Sequence, residues 1–392
     1  MKKTAVVTIL IILLSLPYAV TVWAEGGAEQ ILDDYADVYS DVFKDGLSGV
    51  AQEGNFLNII DEINPKEILA ELNSGRLTLD GREIINLIIK LLLGEVYKGL
   101  GLLASVLAMA VLSSYLGELK SGFGAESVAE CAFFVCYIII AGISASAFYQ
   151  AVECTVRAVD SIAFFMRFLV PVLLTAMMTS GAILSAATLE PALLTMIEVA
   201  VFVIQKLFIP AVLISTALGI VGSMSDRFKT DRLVGLLNKA VRWGLTLTLT
   251  IFVSLAGLKS IASAGADGLT VRLSKFAASN LVPMVGGILS ESAETVMNCS
   301  AVIKNSVGIL GIICVVIIAM GPVLKLGSML ILMRLTAAVT EPVSDPKIVD
   351  CISRLANSVS VLFSMVAVIM VMFIIVVTII INAGNTAITL GN

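Results

Sequence analysis

The sequence predicts an all-α polytopic membrane protein with about six spans in three hairpins. Three observations carry that prediction. The first is composition: the 392 residues are 58% hydrophobic and 14% charged, with mean hydropathy +1.01. A soluble domain is about half apolar and a quarter charged, so one water-soluble core cannot hide this excess. The second is run length: several stretches exceed the roughly 18 apolar residues that suggest a bilayer span. They are continuous rather than alternating, which favours helices over barrel strands.

The third is an internal repeat. Leu169-Val170-Pro171 recurs as Leu281-Val282-Pro283, and each triplet is followed 39 residues later by another proline in a long apolar run, Pro210 and Pro322. Both members are offset by 112 residues. A basic amphipathic stretch follows in each copy, Arg232-Leu233-Val234 to Lys239 and Lys347-Ile348-Val349 to Arg354, at an offset of 115. The approach to the triplet recurs too, as Thr155-Val156-Arg157 and Thr270-Val271-Arg272. Four features in one order at a near-constant period read as a tandem duplication, with units at about 155–262 and 270–382.

Taken in order, residues 1–24 have the form of a secretory signal. Lys2 and Lys3 precede an apolar stretch from Ala5 to Leu16, Pro17 breaks it, and Val22-Trp23-Ala24 offers small residues at the cleavage positions. Residues 25–95 are expected to be an acidic, helical, extracytoplasmic region, with the membrane domain over 96–392. Between Glu25 and Asp80 there are 13 acidic residues against Lys44, Lys66 and Arg76. Glu83 to Leu93 suits a helix lying along the membrane or packing on the bundle. Spans follow at about 99–116, 131–148, within 193–221, at 243–258, within 307–335 and at 359–381.

Between these lie two apolar segments, 162–189 and 269–289, each carrying a triplet. Charge decides how they run. Basic residues stay on the cytoplasmic side of short loops, and the richest loop holds Arg227, Lys229, Arg232, Lys239 and Arg242. With the N-terminus outside, a full crossing by 162–189 would put that loop outside. A re-entrant or amphipathic segment, turning near Pro171 or at Thr179-Ser180-Gly181, puts it inside, and the same choice at 269–289 brings Lys347 and Arg354 inside too. Eight full spans is the alternative.

The chain has no histidine, which removes the commonest general base and metal ligand. No HExxH, GxSxG, Walker A or dinucleotide pattern is present, so neither an enzyme nor a resident cofactor or metal is expected. The six cysteines, none in a CxxC, read as small packing residues. The residues that stand out are ionisable groups at membrane depth, which usually face a bundle interior or a wet cavity: Glu198, Lys206, Arg167, Lys325 and Arg334. Near helix ends, Lys and Arg also reach out to the headgroups. Pro171, Pro283, Pro210 and Pro322 recur at matching places in the repeat, and broken helices so placed point to a transport path.

The leader, the acidic stretch with Ile31-Leu32-Asp33-Asp34-Tyr35, the two Leu-Val-Pro segments, the Asp231-Arg232-Leu233-Val234 link and the final apolar span together resemble the stage III sporulation protein AE family of endospore-forming bacteria. The resemblance covers nearly the whole chain and rests on layout rather than on a catalytic motif. It implies a polytopic subunit of the channel, or feeding tube, that links mother cell and forespore, residing in the mother-cell-derived outer forespore membrane. It implies as partners other stage III sporulation A-group membrane proteins, including a secretion-type ATPase and ring-forming subunits. Within that reading the basic loops face the mother cell and nucleic acid is no partner. The alternative is an independent secondary transporter of a small solute or ion, with Glu198 as its coupling residue.

Overall fold

The computed structural model describes residues 81–123, 126–224, 230–281 and 286–391. The expected leader, the acidic region up to residue 80, Pro283, Arg227 and Lys229 lie outside the described residues. Six helices account for the rest: α1 (Gly81–Phe123), α2 (Glu126–Thr179), α3 (Ile183–Met224), α4 (Asp231–Leu281), α5 (Gly286–Thr340) and α6 (Pro346–Gly391). Each contains a stretch long and apolar enough to cross a membrane.

The helices run well past the expected spans. Glu83 to Leu93 is not a separate surface helix but the first turns of α1. The segment expected to start at Ile162 is the outer part of α2, which passes through Pro171 without a turn and has 54 residues. Proline withdraws one N–H from the ladder, and from Ile143 to Thr179 neither a glycine nor a second proline is present to help it stop the helix. The chain reverses at the second of the two places expected. Gly181 adopts φ 91°, its N–H bonds Met178 O at 3.1 Å and Ala182 N–H bonds Met177 O at 3.2 Å. That pair is a Schellman cap, whose left-handed residue favours glycine. Residues 269–281 likewise extend α4.

Capping sets the start of α6. Asp345 precedes Pro346, its Oδ1 accepts Lys347 N–H at 2.9 Å, and its carbonyl accepts Ile348 N–H at 3.0 Å; proline suits the first helical position because its missing N–H would be an orphan there. In α3 the ladder loosens into a π-helical turn at Ile204–Phe208, directly before Pro210, whose missing donor leaves a carbonyl one turn back without its usual partner.

α6 is the hub, packed against α2, α3, α4 and α5, with α1 at one edge and α4 at the other. Leu362, Val366, Ile369, Phe373 and Val377 of α6 and Ile162, Phe165, Met166 and Leu169 of α2 are all fully buried. Lipid is as apolar as these side chains, so close packing rather than water release holds such helices together. Glycine makes the approach possible: a Cβ on Gly311 of α5 would come within 2.7 Å of Leu169, and one on Gly308 would collide with Ile381.

Candidate functional site

The contacts between helices fix their register and so the height of each polar group. At one end, Tyr137 of α2 donates to Ile220 O of α3 at 2.8 Å and shares a hydrogen bond with Ser223 Oγ at 2.8 Å. Arg354 of α6 pairs there with Asp231 of α4 at 2.6 Å. Further along, Thr216 donates to Ser358 at 2.7 Å and Ser215 to Asn238 at 3.2 Å. These side-chain bonds pin α3 to α4 and α6. At this end α3 and α5 finish, and α2, α4 and α6 begin.

At the other end, Asp267 of α4 is buried and accepts the Leu184 and Ser185 N–H groups of α3, each at 2.8 Å. The first N–H groups of a helix have no partner within it, and the helix dipole favours an anion there. Asp267 supplies both needs from another helix. Lys304 of α5 is fully buried and donates to Ile381 O of α6 at 2.9 Å. Neither residue was singled out from the sequence: Lys304 stands just before the apolar run it belongs to, and Asp267 sits in a run of small residues that reads as a link.

The five ionisable residues expected at membrane depth do not converge. Arg167 and Glu198 do meet, as a fork-shaped pair between α2 and α3, Nε to Oε1 at 2.6 Å and Nη2 to Oε2 at 3.1 Å. The pair faces outward, with side chains 42% and 57% exposed. Gln205 donates to Asp160 at 2.7 Å beside it, and Arg157 pairs with Glu153 one turn apart at 2.9 Å. Lys206 is exposed on the π-helical turn, Lys325 is half-buried in α5 and Arg334 is exposed. Pro171 and Pro210 are half-buried in α2 and α3, and Pro322 is half-buried within α5. Of the basic residues assigned to one loop, Arg232, Lys239 and Arg242 lie on α4 itself and are exposed.

A half-open cavity of about 560 Å³ lies between α1, α2 and α5, with Lys98 and Gln150 at one end and Leu102, Ile143, Met329 and Met333 along its walls. Among the described residues no group of three or more Cys, Asp or Glu is placed to hold a metal ion. What the arrangement offers is a packed scaffold with polar belts, a buried lysine and a basic helix face.

A family model described as stage III sporulation protein AE (spore_III_AE) matches residues 63–384. Stage III sporulation protein AE of Bacillus subtilis (strain 168) is similar, 27% identical over 394 residues that cover 98% of this chain and 98% of that protein. No solved structure matches.

Proposed function

The chain belongs to the stage III sporulation protein AE family, and from that premise we propose that it is a non-enzymatic membrane subunit of a transport channel between mother cell and forespore. Its role lies in sporulation, and it is a membrane protein. The observation that carries the finer reading is the extent of the match: residues 63–384 take in nearly all of the six-helix bundle. Its partners are then the other A-group membrane proteins, a secretion-type ATPase and ring-forming subunits among them, and its membrane is the outer forespore membrane. The end where α4 begins carries the basic residues and faces the mother-cell cytoplasm.

The test is charge reversal at Arg227, Lys229 and Arg232. The triple glutamate variant is expected to reach the membrane at normal levels, lose co-purification with the other A-group subunits, and arrest forespore development after engulfment. Normal assembly and normal spores in that variant would overturn the reading.

A further inference from the structure

We propose that α4 forms one wall of a water-filled path through the membrane, and that this wall draws small anionic solutes. The inference deepens the transport reading above and rests on it for the far wall, since α4 is at the edge of its own bundle and a neighbouring subunit must close the path.

The exposed surface of α4 divides into two stripes. At 100° per residue, Arg232, Lys239, Arg242, Thr246, Thr250 and Ser254 fall within an arc of about 120°, and all six are exposed. Leu233, Leu247, Ile251, Leu255 and Leu258, also exposed, fall on the adjoining arc. Trp243, 71% exposed, and Leu236, 65% exposed, fall within the polar arc on its side toward the apolar one, where an amphipathic ring is favoured. The polar stripe is open within the molecule: a Cβ on Gly235 or Gly257, both on that arc, would meet nothing within 4 Å.

Depth gives these residues their meaning. Ser215 of α3 bonds Asn238 of α4, and Gly244 packs on the ring of Phe208. Lys239 and Arg242 therefore lie between those levels, at the height of Pro210 to Ile214. There α3 presents Leu213 and Ile214 outward, within a stretch free of charge from Leu207 to Ser225. The part of that stretch within α3, Leu207 to Met224, rises about 27 Å, close to the thickness of the hydrocarbon layer, and Lys239 lies roughly 10 Å and Arg242 roughly 5 Å inside its Leu207 edge. Arg242 reaches that edge with its stem, whereas Lys239 at its depth needs water or a counter-charge. No ion pair among the described residues involves either, and the nearer helix end is two turns or more away. Water beside the stripe meets the need. Thr246 and Thr250 donate to the carbonyls of Arg242 and Thr246 at 3.1 and 2.8 Å, which leaves their oxygens free to accept from water. The sign follows from composition: after Asp231 the next acid on α4 is Asp267, beyond the stripe.

The experiment places single cysteines at Thr246, Thr250 and Ser254, and at Leu247, Ile251 and Leu255, in the otherwise unaltered full-length chain in sporulating cells. Opened membranes are treated with a small anionic methanethiosulfonate or its cationic counterpart, and each site is read by peptide mass spectrometry, so native cysteines need not be removed. The three hydroxyl positions are expected to react and the three apolar ones to stay unmodified. The anionic reagent should react faster by on the order of tenfold, and that preference should vanish in Lys239→Gln/Arg242→Gln. On the unaltered chain, an impermeant sulfosuccinimidyl ester should acylate Lys239, a readout that needs no variant. Protection of all six sites, or reaction at all six without helical period, overturns the wet wall; equal rates for the two reagents overturn its charge preference. If the α4 sites are protected while the Arg227, Lys229 and Arg232 reversal still blocks assembly, the path falls and the subunit reading stands.

Discussion

Asp267 and Glu198 are both carboxylates with two bonds to a neighbouring element, and their surroundings give them opposite weight. Asp267 is buried, and its two acceptors satisfy backbone N–H groups that have no other partner at the start of α3. Removing it strands buried donors, at about 1–3 kcal/mol. Asp267→Ala is therefore expected to lower the thermal midpoint of the detergent-purified protein clearly more than Thr195→Ala on the exposed face of α3, with Asp267→Asn falling between them. Equal midpoints for Asp267→Ala and Thr195→Ala would show that the cap carries no stability. Glu198 instead answers Arg167 on the outer surface, where an ion pair contributes only about 0–1 kcal/mol. Its partner points to a structural function for the pair. The exchange Arg167→Glu/Glu198→Arg should restore spore formation to whatever extent either single change reduces it. A coupling carboxylate would not survive relocation to the neighbouring helix, so an exchanged protein that is folded, present in the membrane and inactive would return Glu198 to the secondary-transport reading.

Two glycines separate what a helix needs from what a turn needs. Gly181 caps α2 at φ 91°, a conformation that costs an L-residue with a Cβ roughly 1–2 kcal/mol. Gly235 lies inside α4 with open space around it, where alanine is favoured by about 0.8–1.0 kcal/mol. Gly181→Ala should lower the thermal midpoint and Gly235→Ala raise it; shifts of the same sign would mean that packing, not backbone conformation, governs both sites. The same contrast explains what could be read from sequence. Six apolar stretches and the Thr179–Gly181 turn were legible, because hydropathy and turn residues are local signals. The continuity of α2 was not. Glu153, Arg157 and Asp160 look like the end of a span, yet they are good enough helix formers for α2 to carry on through them and pair sideways along its surface. Nor was the meeting of Arg167 with Glu198 legible: their spacing of 31 residues crosses a turn, and only the packing of α2 on α3 brings them together.

At the scale of the molecule the helices are too long for the membrane they cross. Helices of 42 to 55 residues rise about 63 to 83 Å, against ~30 Å of hydrocarbon. Charge locates the bilayer along them. α1 is free of charge over 99–117, α2 over 131–152 and the α3 region over 207–225. Each window is close to one bilayer thickness, and interhelical contacts bring them to one height: Lys98 and Gln150 share one end of the cavity between α1 and α2, and Tyr137 meets Ser223 at the other limit. Beyond the windows the exposed surface of α2 and α3 carries Glu153, Arg157, Arg167, Glu190, Glu198 and Lys206. In the proposed orientation the bilayer surrounds the half of the bundle where α2, α4 and α6 begin and the other half stands on the outer side, where α2 and α3 also expose Phe164, Ile183, Val199 and Phe202. That placement is tested in protoplasts with an impermeant thiol reagent, each engineered cysteine again read by peptide mass. Thr188→Cys, exposed on α3 beyond its window, should react in intact protoplasts. Ile138→Cys, exposed within the α2 window, should not react, and Ser225→Cys should react only once the protoplasts are opened. Reaction of Ser225→Cys in intact protoplasts would invert the bundle and move its basic end outside. Protection of Thr188→Cys with Ser225→Cys correctly inside would instead sink the outer half into lipid, leaving the Arg167–Glu198 pair to be solvated by a partner subunit rather than by water.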